Sequence, residues 1–188
     1  MDADVTARAM EEIVRPTLAE MARRGSPYRG VLYVGLMIKG GAPRLVEYNV
    51  RFGDPECQVL MMRLGAQALD AVQAAAEGRL SEARIDWADD HAMTVVLAAP
   101  GYHGTPEPGT VLGGLDALVK DSHRQVFHAG TALSDSALVA SGGRVLNATA
   151  RGASLEKAAE RAYGIVDAID FPGAQVRRDI GWRALGKG

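Results

Sequence analysis

Glu47, Asn49 and Arg51 lie two residues apart in the run Arg44-Leu45-Val46-Glu47-Tyr48-Asn49-Val50-Arg51-Phe52-Gly53-Asp54-Pro55-Glu56. Successive side chains of a strand point to opposite faces, so these three share one face. Val46, Tyr48, Val50 and Phe52 take the other, which reads as core. A carboxylate, a carboxamide oxygen and a guanidinium in one row suit a metal-bound phosphate. Hard cations such as Mg²⁺ take oxygen ligands, one or two from protein and the rest from phosphate and water. Arginine adds a planar donor fork for phosphate or carboxylate. A solvated strand face explains the same alternation, and alternation alone favours it. The next residues shift the balance. Asp54-Pro55 reads as an N-cap followed by proline at the first helical position, which would run the strand into a helix start whose free N–H groups favour anions.

The elements that must position this row follow from periodicity. Met10, Ile13, Val14, Leu18 and Met21 predict a helix over Val5 to Arg24, kinked or split at Pro16. Arg29 to Ile38 and Arg44 to Phe52 predict a β-hairpin turning at Lys39-Gly40-Gly41-Ala42-Pro43. One helix is expected from Pro55 to Glu77, stopped by Gly78. Ser81 to Asp90 is polar and acidic, a domain connection or a loop. Beyond it, strands are expected at Ala92–Ala99, Gln125–Ala129, Ala137–Ser141 and Arg144–Ala150, the last two joined as a hairpin at Gly142-Gly143. Ser154 is expected to cap a helix carrying Leu155, Ala159, Ala162, Ile165, Val166 and Ile169. The tail from Phe171 to Gly188 is basic and partly irregular. The predicted class is α+β, with one division at 1–86 and 87–188.

The 188 residues carry a net charge of −2 with 47% hydrophobic composition, which argues against a nucleic-acid-binding surface. No apolar run is long enough to span a membrane, and Met1-Asp2-Ala3-Asp4 lacks a signal-peptide pattern. The single cysteine, Cys57, excludes an internal disulfide and fits a reducing cytoplasm. It falls in the first turn of a predicted helix, where a thiol can be activated, but no neighbouring base is evident and it reads as a packing residue.

Other candidates are weaker. His103, in Pro100-Gly101-Tyr102-His103-Gly104, suits a ligand or acid/base group but reads as a solvated loop residue. His123 and His128 have no partners at metal-ligand spacing. Gly142-Gly143 would let a phosphate approach, although a hairpin turn explains the pair. Arg177, Arg178, Asp179 and Arg183 could close over a substrate, although a solvated charge run explains them. Neither a Walker-type loop nor Gly-x-Gly-x-x-Gly is present, and the only lysines are Lys39, Lys120, Lys157 and Lys187. A metal–nucleotide on the Glu47/Asn49 face would therefore be gripped in an unfamiliar way, or by a part outside these residues.

The stretch Tyr28-Arg29-Gly30-Val31-Leu32-Tyr33-Val34-Gly35-Leu36-Met37, with Glu47 to Gln58, resembles the phosphoribosylamine–glycine ligases of the ATP-grasp superfamily. Ala99-Pro100-Gly101-Tyr102, Val126 to Thr131, Gly142 to Leu146, Ala162-Tyr163 and Arg178 to Gly181 resemble the same family's C-terminal domain, in the family's order. The resemblance implies the C-terminal half of an ATP-grasp module, an antiparallel sheet with helices, followed by a small mainly antiparallel β domain with a helix. It implies Mg (or Mn) and ATP, with Glu47 and Asn49 as metal ligands and cofactor-binding residues. Arg51, Gly53 and Asp54 are implied as substrate-binding, Arg51 and Asp54 also as catalytic, although a helix-capping role for Asp54 is preferred. The implied reaction joins glycine to phosphoribosylamine at the expense of ATP, through an acyl phosphate of glycine. The family's N-terminal half would be the missing partner, and the chain would be inactive alone in a cytoplasmic enzyme. A folded non-catalytic domain, or another ATP-grasp carboxylate–amine ligase, remains an alternative. An exposed apolar face is expected where the missing half would pack.

Overall fold

In a computed structural model the chain is described over residues 2–119 and 121–186. Lys120, Lys187, Met1 and Gly188 lie outside the described residues, and with them two of the four lysines and both ends of the chain. The chain forms two compact units, Met1–Gly53 with Ala66–Ile85, and Asp54–Gly65 with Asp86–Gly188.

The first unit begins with α1 (Ala3–Ala9), capped by Asp2, whose carboxylate accepts from the Val5 N–H at 2.8 Å. The helix does not break before Pro16. It widens into a π-turn over Met10–Val14, where Arg15 N–H reaches back to Met10 O, and continues as α2 (Arg15–Arg23). Pro16 has no N–H, and the widened turn before it divides the helix where a break or kink was expected. Strands β1 (Tyr33–Lys39) and β2 (Ala42–Asn49) pair antiparallel. Their two-residue turn, Gly40-Gly41, has φ of +56° and +72°, both left-handed as a type I′ turn requires.

The register corrects the expected alternation. Gly35 pairs with Glu47 and Leu36 with Leu45, so Val46 is an extra bulged residue. The face expected as core is therefore not one: Val46 is 64% and Val50 73% exposed, while Tyr48 and Phe52 are half-buried. Val50 lies in a bend beyond the end of β2. Met37, Ile38, Leu45, Leu69 and Val72 are exposed as well. A two-stranded sheet has too little area to form a core by itself.

The single helix expected from Pro55 to Glu77 is two helices. Gly65, at φ +59° and ψ −139°, separates α3 (Glu56–Leu64) from α4 (Gln67–Glu77). Gly78 ends α4 in the left-handed conformation, as expected. Helix α3 belongs to the second unit and α4 to the first.

The second unit is built on strands β3 (His91–Ala98), β4 (Arg124–His128), β7 (Arg144–Gly152) and β8 (Gln175–Val176), antiparallel in the order β4-β7-β3-β8. Helix α5 (Leu155–Ala168), capped by Ser154, packs on it. Val95, Leu97, Leu146, Ala148, Ala162 and Ile165 are buried between helix and sheet. The expected hairpin at Gly142-Gly143 is not formed. Strand β6 (Ala137–Ala140) pairs instead with β5 (Thr131–Ser134), through a turn at Asp135-Ser136 with φ of +47° and +68°. Polar left-handed residues took the turn there, and β7 was freed to occupy the sheet centre.

Candidate functional site

The bulge at Val46 precedes the candidate row. Glu47 and Asn49 then stand on one face of the last paired residues of β2, opposite Gly35 and Tyr33 of β1. Asn49 Nδ2 donates to Glu47 Oε1 at 3.2 Å. Gly35 makes room for this arrangement: a Cβ there would fall 3.1 Å from Glu47 Cγ. Rotating the Asn49 amide by half a turn exchanges Nδ2 for Oδ1, and O/N identity follows the partner present. Two oxygens would then lie side by side on that face, the kind of donor a hard cation takes. Glu47 is exposed and Asn49 half-buried, so both remain open to a metal–phosphate complex. No group of three or more His, Cys, Asp or Glu side chains able to hold a metal occurs among the described residues. A cation held here by one carboxylate and one carboxamide would take its other ligands from phosphate and water, the usual habit of Mg²⁺.

The other expected site residues are distributed differently. Arg51 lies past the end of β2, exposed, with Nη1 donating to the Phe52 carbonyl at 2.8 Å. Gly53 is buried. Asp54 belongs to the second unit and is not a helix cap. Pro55 occupies the N-cap position of α3 and no side chain caps the helix. The Asp54 carboxylate instead accepts from Gln58 Nε2 at 3.1 Å and faces Arg144 Nε at 3.5 Å. Arg144 Nη1 also donates to the Asp54 carbonyl at 2.6 Å. The aspartate is thus occupied by a side chain one helical turn on and by a strand 90 residues away.

Gln58 and Arg144 were not singled out in the sequence. The i,i+4 spacing of Asp54 and Gln58 was a readable signal, whereas nothing local pointed to Arg144. Asn147, fully buried on β7, has neither amide atom hydrogen-bonded among the described residues. Cys57 behaves as expected of a packing residue: burial first, and the Asp54 charge second, push its thiol above the usual range. His103, His123 and His128 lie apart, and His103 stacks on Tyr102 with ring centres 4.2 Å apart. In the tail, Arg177 pairs with Asp179 at 2.7 Å and Arg178 with Asp167 at 2.6 Å. No helix among the described residues is long and apolar enough to cross a membrane.

A hairpin carrying a carboxylate–carboxamide pair at its end is thus followed by an antiparallel sheet backed by one helix. Comparison with known proteins assigns both parts to one family. Residues 1–57 match the family model "Phosphoribosylglycinamide synthetase, ATP-grasp (A) domain", and residues 92–183 match "Phosphoribosylglycinamide synthetase, C domain". A phosphoribosylamine–glycine ligase of Mesorhizobium japonicum is 51% identical over 187 residues, covering 100% of this chain and 44% of the relative. The chloroplastic phosphoribosylamine–glycine ligase of Arabidopsis thaliana is 51% identical over 180 residues, covering 94% of this chain and 34% of its own length. The crystal structure of phosphoribosylamine–glycine ligase from Thermotoga maritima superposes with a TM-score of 0.84 at 35% identity, over 95% of this chain and 44% of that one. The chain belongs to the phosphoribosylglycinamide synthetase family. It spans less than half the length of the relatives it matches.

Proposed function

We propose that this chain is the metal- and substrate-binding part of an ATP-dependent ligase that joins glycine to 5-phosphoribosylamine, giving glycinamide ribonucleotide. The observation that carries the reading is the Glu47–Asn49 pair, 3.2 Å apart on one strand face. Its support is the near-50% identity to phosphoribosylamine–glycine ligases over the whole chain. Glu47 and Asn49 would hold a Mg²⁺ (or Mn²⁺) through their side-chain oxygens, and that ion would supply positive charge to offset the negative charge of phosphoryl transfer. Arg51, exposed at the strand end, offers its remaining N–H groups to the glycine carboxylate or the acyl phosphate. Asp54, held by Gln58 and Arg144, sits ready to orient an amine. The glycine carboxylate attacks the γ-phosphorus, ADP leaves, and the amine then displaces phosphate from the acyl phosphate.

The functional division follows residues 1–86 and 87–188, which the two family matches support. The exposed apolar side chains of the first unit, Met37, Leu45 and Leu69 among them, support a further segment, of the kind that makes up the rest of the relatives' length, packing there. A cytoplasmic setting suits the lone reduced cysteine.

The test is ADP release with glycine, phosphoribosylamine and Mg-ATP, using the chain extended to the length of its relatives. Turnover should need all three substrates and the metal. Near-normal turnover by Glu47→Ala and Asn49→Ala would sink the metal-site reading. Turnover with other amines but not phosphoribosylamine would move the chain to another ATP-grasp carboxylate–amine ligase.

A further inference from the structure

Three stretches that the sequence left without a role meet at one cleft in the second unit. They are the Pro100–Gly104 loop, Arg144 after Gly142-Gly143, and the start of the basic tail. The cleft has a volume of about 400 Å³, enough for a small phosphorylated ligand. Its floor is apolar, from Val96, Ala98 and Val176, and its rim carries His103, Arg144 and Arg177. Val95 and Leu97 belong to the core under α5, so Val96 and Ala98 stand on the opposite face of β3.

The backbone is shaped to put these groups there. In β7, Leu146 pairs with Leu97 and Arg144 with Ala98, so Val145 is bulged. Bulges re-aim the side chains beside them. Here one brings a guanidinium level with Ala98 on the cleft floor. On the loop, Gly101 has φ +77°, and a Cβ on it would fall 2.5 Å from the Thr105 carbonyl oxygen. Tyr102 lies against Gly143, where a Cβ would fall 2.5 Å from its ring. His103 follows at φ +75°, in the left-handed region.

No carboxylate lines the cleft. Asp179 takes Arg177 through Nε and Nη2, which leaves Nη1 for another acceptor. Asp54 takes Arg144 through its carbonyl and Nη1, and Arg144 Nη2 has no hydrogen-bond partner among the described residues. Both guanidinia are therefore oriented by one acidic residue and still hold spare donors. Two oriented guanidinium groups beside an imidazole, over an apolar floor, suit a phosphate monoester carried on a sugar.

We propose that this cleft binds a sugar phosphate, its phosphate against Arg144, Arg177 and His103 and its ring over Val96 and Ala98. The identity of that ligand rests on the ligase reading, which makes it the 5-phosphate end of phosphoribosylamine.

The test uses ribose 5-phosphate, a stable sugar phosphate, titrated into the whole 188-residue chain by calorimetry and ³¹P NMR. Saturable binding with Kd on the order of 1 mM or tighter is expected. Inorganic phosphate should bind at least tenfold more weakly, and ribose should not bind. Arg177→Gln changes an exposed side chain, and His103→Asn keeps a residue tolerant of positive φ, so both should fold and both should weaken binding about tenfold or more. Unchanged affinity in both variants, no saturation, or equal affinity for inorganic phosphate would each overturn the assignment. In the extended chain, Arg177→Gln should raise KM for phosphoribosylamine and leave KM for ATP and glycine unchanged. Ribose 5-phosphate binding without any ADP release would remove the ligase reading and leave the cleft. ADP release indifferent to Arg177→Gln would do the reverse.

Discussion

Tyr48 and Thr17 join their hydroxyl oxygens at 2.5 Å, tying β2 to α2 between the two candidate metal ligands in sequence. The donor can be assigned. Thr17 Oγ1 already gives its one hydrogen to the Ile13 carbonyl at 2.8 Å, so Tyr48 donates and Thr17 accepts. Tyr48→Phe removes that donor and keeps the ring. Loss of about 1 kcal/mol in urea unfolding is expected, with little change in the far-ultraviolet circular dichroism. An unchanged midpoint would show that the bond holds nothing.

Gly35 bears on Glu47 across the hairpin. A Cβ at Gly35 meets Glu47 Cγ at 3.1 Å, tighter than an ordinary contact but against a flexible side chain. Gly35→Ala should therefore leave Tm within a few degrees and move the carboxylate. In the extended chain the Mg²⁺ concentration for half-maximal rate should rise several-fold. A large fall in Tm with normal metal dependence would make Gly35 a packing residue only.

Gly143 has no such latitude, because the group it meets is a ring held in a loop. Gly143→Ala places a methyl 2.5 Å from Tyr102 Cδ2 and 2.7 Å from Cε2. Overpacking of this kind typically costs about 1–3 kcal/mol. Chemical denaturation should show that loss, and Tyr102→Ala in the same chain should restore part of it. Full additivity of the two substitutions would show that the residues do not meet.

Glu47→Gln and Asn49→Asp separate charge from shape. Glu47→Gln keeps the side-chain volume and should cut turnover at least ~100-fold. Asn49→Asp keeps an oxygen ligand and should retain more of the rate, while favouring Mn²⁺ and Mg²⁺ alike. Both residues are exposed or half-buried, so thermal unfolding should hardly change.

Cys57 gives a pH dependence of stability. Its thiol is raised in the folded chain, by burial first and by Asp54 second. A raised acid favours the protonated form in the native state. Its contribution is fully present below the ordinary thiol range and is lost as pH climbs through that range to the folded value. Alkylation by iodoacetamide near the ordinary thiol pKa should be slower in the native chain than in urea, and Cys57→Ser should flatten the alkaline loss of stability. Equal alkylation rates in both states would contradict the burial argument.

The Gly40-Gly41 turn, the Gly78 stop and the Ser154 cap were legible in the sequence because each is local. A strand face, a turn needing positive φ or a cap is set by residue types within a few positions. The resemblance to the ligase family was legible for the same reason, in the contiguous run from Glu47 to Glu56. The two bulges, at Val46 and Val145, were not. A bulge is a mismatch between two strands, so neither strand announces it. The exchange of Ala137–Ala140 from β7 to β5 was equally hidden, since two hairpins competed for one strand and only packing chose between them. Asp54 looked like a cap until Arg144, 90 residues on, took it. The order of the elements, and the placing of Glu47 and Asn49 two residues apart in one strand, were determined by the sequence alone. Tertiary structure decided which charged side chains the bulges re-aim, because long-range pairing sets register and register sets the face.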